Sequence, residues 1–508
     1  MDDALLAQLK GCEMMEAWDV LVIGDGPAAL RSAASAAKKG AQTLLISVSA
    51  LGDGGIVSLD GLASPIQESN NKGHREDTIK NGRYLCDQDI VSSVTNSAIM
   101  EMDLLERWGV TFQRDAKGLP LANKAVGHSK PRILTSGDSM VSEVQQVLEE
   151  QCMRYGVIRR SDQIPMMMVH NNNRICGMIT ADMINGNFVA IQCKTLILAD
   201  GGFEGIFANG KANLGMDLAL QADISLRDME FITKTPLSVK GTNMFLPHGV
   251  LSSGASLNKV DGSEIEGDSI FDIVQEVSGH DTVVLDARNM GDSSKWWNSI
   301  FRNVKLRTGI DLSKQTIELE AKVNMTVGGL PTDELGRVVV GTWARWFTGL
   351  YSAGEASCSG LHGAGLLDGN RLLDSLVCGK MAGESAGEWS SSAVFSGSEL
   401  IKNALDSVTS NYNSLFSEDE VESTVVRIGL VSSKLREIGL NFVNQENNAT
   451  SYGQHLESLE QLSILAESIH IDQNSLIANT NLLSMLQVQA GIRLLTCSIQ
   501  ASLARNES

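Results

Sequence analysis

The stretch Trp18–Ser47, WDVLVIGDGPAALRSAASAAKKGAQTLLIS, constrains this chain more than any other. It reads as strand, glycine turn, helix and strand. Val20–Ile23 is an apolar run of buried-strand length, and Gly24, Gly26 and Ala29 then fit G-x-G-x-x-G/A at the start of a helix. The first glycine allows a tight turn. The second lets a diphosphate approach the backbone, and the small residue at 29 lets helix and strand pack closely. Pro27 and Ala28 open that helix, which runs to Lys39 without internal Gly or Pro. Its N-terminal N–H groups and dipole suit phosphate. The second strand, Thr43–Ile46, ends at Ser47, where an acid would bind a ribose hydroxyl; serine still offers one hydrogen bond. The unit predicts a bound dinucleotide without separating FAD from NAD.

The 508 residues allow several domains and a large core, and 43% hydrophobic with 20% charged residues is ordinary for a globular protein. A net charge of −20 argues against nucleic acid and against docking on anionic lipid. No apolar run approaches a membrane span, and MDDALLAQLK lacks a basic-then-apolar leader, so direct membrane insertion is not expected and the cytoplasm is. Peripheral attachment to the inner face of a membrane would need partners. The eight cysteines are scattered with no CxxC spacing, which predicts reduced thiols and no local zinc or iron–sulfur site.

Further along, Ile90–Val110 and Met140–Tyr155 carry apolar residues at helical spacing. Residues 156–198 read as a β-meander with turns at Asn171–Asn173 and Asn185–Gly186. Lys194–Gly202, KTLILADGG, is a strand running into paired glycines; Leu350–Glu355, LYSAGE, is another strand end followed by glycine and an acid. Three such strand ends, separated by long insertions, favour FAD, which is held extended by distant parts of a chain. Beyond Ser398 glycine almost vanishes, and helical spacing recurs in Ile401–Leu415, Glu420–Ile438, Leu456–Ile469 and Asn481–Leu503.

In order along the chain, DVLVIGDGPAAL, EDTIKNGRYLCDQD, LERWGVTFQR, LILADGGFEGIF, NLGMDLALQADISLRDMEF, VGGLPTDELGRV, LYSAGEASCSGLHGAG and GNRLLDSLVCGKMAGESA resemble the flavoprotein subunit of the succinate dehydrogenase/fumarate reductase family over residues 17 to about 390. The resemblance implies an α/β fold. A Rossmann-like FAD-binding domain (17–233 and 323–392) would carry an inserted α+β capping domain (234–322) and a C-terminal helical bundle (398–508). It also implies that Gly24, Gly26 and Ala29 face the diphosphate and that Gly54 and Gly55 lie near the flavin. Ala199 and Gly201 would stand at the second strand end, with Asp217 at a helix start near the cofactor. Gly354 and Glu355 would meet a ribose or ribityl hydroxyl, and Leu372 and Leu373 the flavin pyrimidine edge. In the family the capping domain closes over substrate.

The departures from the pattern are equally informative. The family's covalent histidine has no counterpart in Ser47–Asp53, and the first histidine of the chain is His74; the FAD is expected to be non-covalent. Thr235 replaces the substrate histidine, His248 the glutamate of the proton relay and Leu251 its arginine. Gly267 aligns with the proton-delivering arginine, Asn324 replaces the histidine before the MGG turn, and Leu366 replaces the carboxylate-clamping arginine. A dicarboxylate needs cations or strong donors at both ends, and hydride transfer needs a proton donor or acceptor opposite the flavin. The candidates for those tasks are His362, His248 and Arg371, then Lys234, Lys240, Arg288 and Arg345. The resemblance implies an FAD-dependent oxidoreductase exchanging hydride with a small carboxylate-type substrate, with an iron–sulfur or other electron-transfer subunit as partner. The alternative is a catalytically degenerate flavin-binding subunit of a complex. The chain stops at LARNES, which implies that the segment helping the family dock its iron–sulfur subunit is missing.

Overall fold

The computed structural model describes residues 15–49, 61–67, 70–341, 345–416 and 426–507. Strand β1 (Glu16–Ile23), helix α1 (Pro27–Lys38) and strand β2 (Thr43–Ile46) form the opening unit that the glycine spacing predicts. Helices α2 (Asn71–Asn81), α3 (Gln88–Trp108) and α4 (Met140–Arg154) follow. Asp87 starts α3 by accepting hydrogen bonds from the Asp89 and Ile90 N–H groups. Strands β3 (Ile158–Arg160), β4 (Gln163–Asn171), β5 (Arg174–Asp182) and β6 (Asn187–Leu198) come next, the last three as an antiparallel meander. Its first turn places Asn172 and Asn173 at φ 46° and 60°, a left-handed pair that asparagine tolerates.

Among the described residues an eight-stranded sheet forms in the order β11-β12-β5-β6-β1-β2-β3, with β4 on β5; β11 is Arg337–Val340 and β12 is Arg345–Ser352. β1 runs parallel to β2 and to β6, and β6 runs parallel to β12. Four apolar residues in a row at Val20–Ile23 are required because this strand is covered on both faces: all four are essentially inaccessible. One cover is α1; against it lies helix α8 (Asn370–Ser392).

The α1–α8 contact is unusually close for a sequence-readable reason. Gly379, Gly383 and Gly387 lie four residues apart and meet Ala28, Ser32 and Ala36 in the same order, so the two helices run parallel with backbones in contact. A Cβ at position 383 would stand 2.1 Å from the Ser32 carbonyl oxygen. Beside this contact, Arg31 and Glu101 form a buried ion pair at 3.0 Å that ties α1 to α3.

A second sheet, β8-β9-β10-β7, is built from β7 (Ile232–Val239), β8 (Ser256–Lys259), β9 (Val283–Asp286) and β10 (Ile317–Thr326), with helices α6 (Ile270–Ser278) and α7 (Asn298–Thr308) beside it. It has its own core, centred on the inaccessible Trp297, whose indole N–H donates to Ser253 Oγ at 3.0 Å. β7 and β10 run without a break across positions 233/234 and 322/323. The two strands are therefore the connection between this unit and the large sheet, pairing Ile232 with Thr326.

Helices α9 (Ser398–Ser414), α10 (Ile428–Asn444), α11 (Ala449–Glu467) and α12 (Thr480–Glu507) close the chain. The second of these ends several residues later than spacing suggested, and residues 420–425 of the expected span lie outside the described residues. The expectation that nothing approaches a membrane span needs correction: α12 is long and apolar enough by length and composition, at mean hydropathy 1.3. It serves as a core helix. Leu482, Val488, Ile492, Leu495 and Ile499 are buried in the main core, and mid-helix Arg493 pairs with Asp217 on α5 (Gly215–Leu220), at 2.6 and 2.7 Å.

The helix contact is directly testable. Gly383→Val is expected to destabilise the chain by about 1–3 kcal/mol through overpacking, read as a lower urea midpoint. Gly453→Ala on α11, where a Cβ meets nothing within 4 Å, should leave the midpoint unchanged or raise it.

Candidate active site and cofactor cradle

Parallel register puts three strand ends side by side: Ile23 of β1 faces Leu198 of β6, and Leu198 faces Ser352 of β12. The residues that follow, Gly24, Ala199–Gly201 and Ala353–Glu355, therefore emerge together at the carboxyl edge, where open α/β sheets bind ligands. Gly24 has φ +130°, and a Cβ there would lie 2.2 Å from the Ala199 carbonyl oxygen; the position admits only glycine. Gly26 is the extended residue before α1, Pro27 takes the first helical position, and among the described residues no side chain caps this end. Its N–H groups are thus left for an anion. Gly354, at φ +65°, sits against the Ala28 methyl group, so the third strand end touches the first turn of α1. Ala29 is inaccessible within the packing, as are Leu372 and Leu373 in the first turn of α8. Ser47 is buried, its hydroxyl donating to the Ser49 carbonyl at 2.9 Å. Gly54 and Gly55 lie outside the described residues.

The charged groups at this edge are arranged differently from the sequence expectation. Glu355, expected to meet a sugar hydroxyl, forms a two-pronged ion pair with Arg371, itself a candidate catalytic cation; the second contact is 2.9 Å. Asp217, expected near the cofactor, is engaged by Arg493. Two acids that residue patterns did not single out stand at the β6 end instead. Asp200 Oδ2 accepts from the Leu214 and Gly215 N–H groups at 3.1 and 2.7 Å, and Glu204 lies beside Thr326. Among the described residues Asp200 Oδ1 and Glu204 Oε2 are buried without a hydrogen-bond partner. Burial, opposed by those N–H donors, pushes Asp200 up to about 6. Burial and then the neighbouring Glu355 push Glu204 up to about 7, so near neutrality it carries a proton much of the time. The only sequence signal for Glu204 was its place just after the strand-end glycines.

A group of buried histidines lies around the loop before α8 and the start of that helix. His248 Nδ1 is 2.8 Å from Asp368 Oδ1, and His248 Nε2 is 2.8 Å from Thr235 Oγ1. The Asp368 carbonyl is bonded to His128 Nε2 at 3.0 Å, and Arg132, inaccessible, reaches both His128 Nδ1 at 2.9 Å and Asp77. Burial and the Arg132 charge push His128 down to about 3, and burial pushes His74, bonded to Asn370, down to about 4; both rings are neutral. His248 and Asp368 also line an open cleft of about 530 Å³, together with Lys80 and Lys124 and the acids Asp77, Glu264, Glu266 and Asp268.

The remaining candidates are dispersed. His362 is buried 3.5 Å from Asp374, against Gly82 and Cys86. Lys234 donates to the Val443 carbonyl and Asn444, Lys240 pairs with Glu318, Arg288 pairs with Asp286, and Arg345 is exposed beside Asn173. Among the described residues the seven cysteines are free, and no three His, Cys, Asp or Glu side chains cluster as metal ligands.

Comparison with known proteins decides the family. Residues 19–372 match the FAD binding domain. This chain is a divergent member of the succinate dehydrogenase/fumarate reductase flavoprotein family. It is 25% identical to the fumarate reductase flavoprotein subunit of Escherichia coli, across 96% of this chain and 87% of that protein. It is 30% identical to the L-aspartate oxidase of Agrobacterium fabrum, across 72% of this chain and 73% of that one. A variant of E. coli quinol fumarate reductase has the same fold, with TM-score 0.87 at 22% identity over 97% of this chain and 90% of that one. The flavoprotein is an FAD-dependent oxidoreductase. The residues present fit that cofactor: bare backbone and an uncapped helix N-terminus at this edge would suit a diphosphate, and the acids alongside are answered by backbone N–H groups, by Arg371 or by a retained proton.

That retained proton sets a pH dependence. The folded chain holds the Glu204 proton after the unfolded chain has lost it at about 4.5, so this group's contribution to stability is full below 4.5 and is lost as pH rises to about 7. In cofactor-free protein, the stability gained by Glu204→Gln should grow between pH 4.5 and 7 and level off above; a gain independent of pH would contradict the assignment.

Proposed function

We propose that this flavoprotein exchanges hydride between a small carboxylate-bearing substrate and an FAD held without a covalent bond. The observation that carries the reading is the meeting of three parallel strand ends with the N-terminus of α1, beneath a second sheet joined to them by one two-stranded ribbon. Gly24, Gly26 and the first turn of α1 would hold the diphosphate; Gly201 and Gly354 would line the rest, while Leu372 and Leu373, expected there from sequence, are packed out of reach. When bound, FAD supplies a two-electron acceptor or donor. The protein's own tasks are to attract the acid, exclude water and move a proton. Lys80 and Lys124 are the cations that line the open cleft and would meet an acid there; Arg371 is held by Glu355, Lys234, Lys240 and Arg288 by other partners, and Arg345 does not line the cleft. Electron exchange with a partner subunit is supported by the fumarate reductase relatives, which are named as flavoprotein subunits.

A second reading is favoured by one observation: the Arg371–Glu355 pair and Leu366 leave no arginine free at the positions where the family pattern expects a carboxylate clamp. On that reading the chain binds FAD and has lost turnover. Anaerobic mixing of the purified flavoprotein with succinate, L-aspartate and related acids separates the two. Bleaching of the flavin absorbance by at least one acid, or reoxidation of reduced flavin by fumarate or a related unsaturated acid, is expected; a flavin inert to the whole panel supports the second reading.

The mode of attachment has its own test. Acid precipitation should release all of the flavin into the supernatant, since Ser47–Asp53 offers no histidine to attach it. Colour retained in the washed pellet would contradict non-covalent binding.

A further inference from the structure

We infer that a cavity between the β7–β10 ribbon and helix α10 binds an organic monocarboxylate with a compact apolar body, at a site separate from the cofactor edge and from the open cleft. The cavity measures about 530 Å³, inside the range of about 300–1,000 Å³ that small-ligand pockets occupy. It shares no lining residue with the cleft.

Three parts of the chain build it, and each brings apolar surface. Phe207 comes from the short helix Gly205–Asn209 beyond the β6 strand end, and Phe245 from the turn after β7. Val323 comes from β10, and Leu440 and Val443 from the C-terminal half of α10. Two aromatic rings and three branched side chains around one space suit an aryl or short hydrocarbon body. The strand wall is shaped for this. In a regular strand only alternate residues share a face, yet residues 320 to 323 line the cavity consecutively. The reason is that β10 breaks register with β7 between Glu320 and Lys322 and again between Val323 and Met325. Such irregularities re-aim side chains and recur beside functional sites.

The charge decides the ligand's polar end. The chain carries −20 overall, but this cavity has an excess of cations. Glu320 is the acid among the lining residues, and it is already answered: Lys322 Nζ lies 3.0 Å away, and the Gly241 N–H donates to it at 2.8 Å. Arg436 lines the cavity and makes no ion pair among the described residues. A further cation stands behind the Val443 and Asn444 wall. Lys234 Nζ donates to the Val443 carbonyl at 2.7 Å and to Asn444 Oδ1 at 2.9 Å, both neutral acceptors, and its burial lowers its pKa with no carboxylate to oppose the shift. Taking a cation from water without a counter-ion is unfavourable, so its field adds to that of Arg436 in favouring an anion here. Arg436 presents the planar donor fork that pairs with a carboxylate. One unanswered guanidinium on an otherwise apolar lining fits one carboxylate, not two.

An occupant would touch the ribbon, α10 and Phe207 at once, so it would brace the inserted unit against the helical bundle and the large sheet's edge. The site does not depend on the hydride-transfer reading.

The test uses FAD-loaded, full-length protein with labelled valine and leucine methyl groups, titrated with 3-phenylpropionate, with octanoate and with the uncharged 3-phenylpropanamide. Saturable NMR shifts at Val323, Leu440 and Val443 are expected with at least one acid, while Leu251 and Leu257 in the cleft stay unmoved. Arg436 is exposed, so Arg436→Gln is expected to fold; it should weaken the acid by about tenfold or more and leave the weaker amide unchanged. Lys124→Gln, on the cleft, should leave the three methyl responses as they are. The proposal is overturned if neither acid shifts those methyl groups, or if the shifts are confined to Leu251 and Leu257. It is equally overturned if amide and acid bind alike, if Lys124→Gln abolishes the response, or if folded Arg436→Gln binds the acid as the wild type does. Flavin bleaching by the acid panel is a separate measurement, so either reading can fail alone.

Discussion

The rest of the structure depends on parallel pairing of β1 with β6 and of β6 with β12. Parallel strands in register deliver their carboxyl ends to one edge, so residues some 175 and 330 positions from Gly24 come within reach of one ligand. The register is held from the side by α1 and α8. Their small residues let the helix axes approach until backbone meets backbone, and the two N-terminal turns then project at the same edge. A larger side chain anywhere in the stripe Gly379, Gly383, Gly387 would part the helices and unseat the edge they guard.

Much of this was legible in the residues. Apolar Val20–Ile23, the glycine spacing after it and the alanine-rich helix state a parallel α/β unit by themselves, because a doubly covered strand and a phosphate-facing turn have strict residue requirements. The LADGG and SAGE strand ends were readable for the same reason. The meander over residues 156–198 followed from its asparagine turns. The start of α10 was not legible: its apolar periodicity continues upstream of Ile428, and nothing local marks the first turn beyond Arg427 in extended conformation. Nor did α12 announce itself as a helix that satisfies a membrane criterion while packing in a core, since that depends on what surrounds it.

The chemistry was harder to read than the fold because ionic partners are chosen across the chain. Glu355 and Arg371 are sixteen residues apart, Asp217 and Arg493 are 276 apart, and no local pattern couples either pair. Each carboxylate looked available for a ligand only while its cation was out of sight. The buried acids Asp200 and Glu204 and the Arg132–His128–Asp368 chain were hidden likewise, since burial is a property of packing. His248 was found because it stood at an aligned position; its partners were found only in space.

The ribbon made by β7 and β10 has a consequence for how such proteins diversify. Ile232 and Thr326 are paired neighbours, so the inserted unit begins and ends at one spot. A unit whose ends meet can be exchanged, enlarged or reshaped without rethreading the chain around it. Such a unit can vary while the nucleotide-binding edge keeps its own residue requirements.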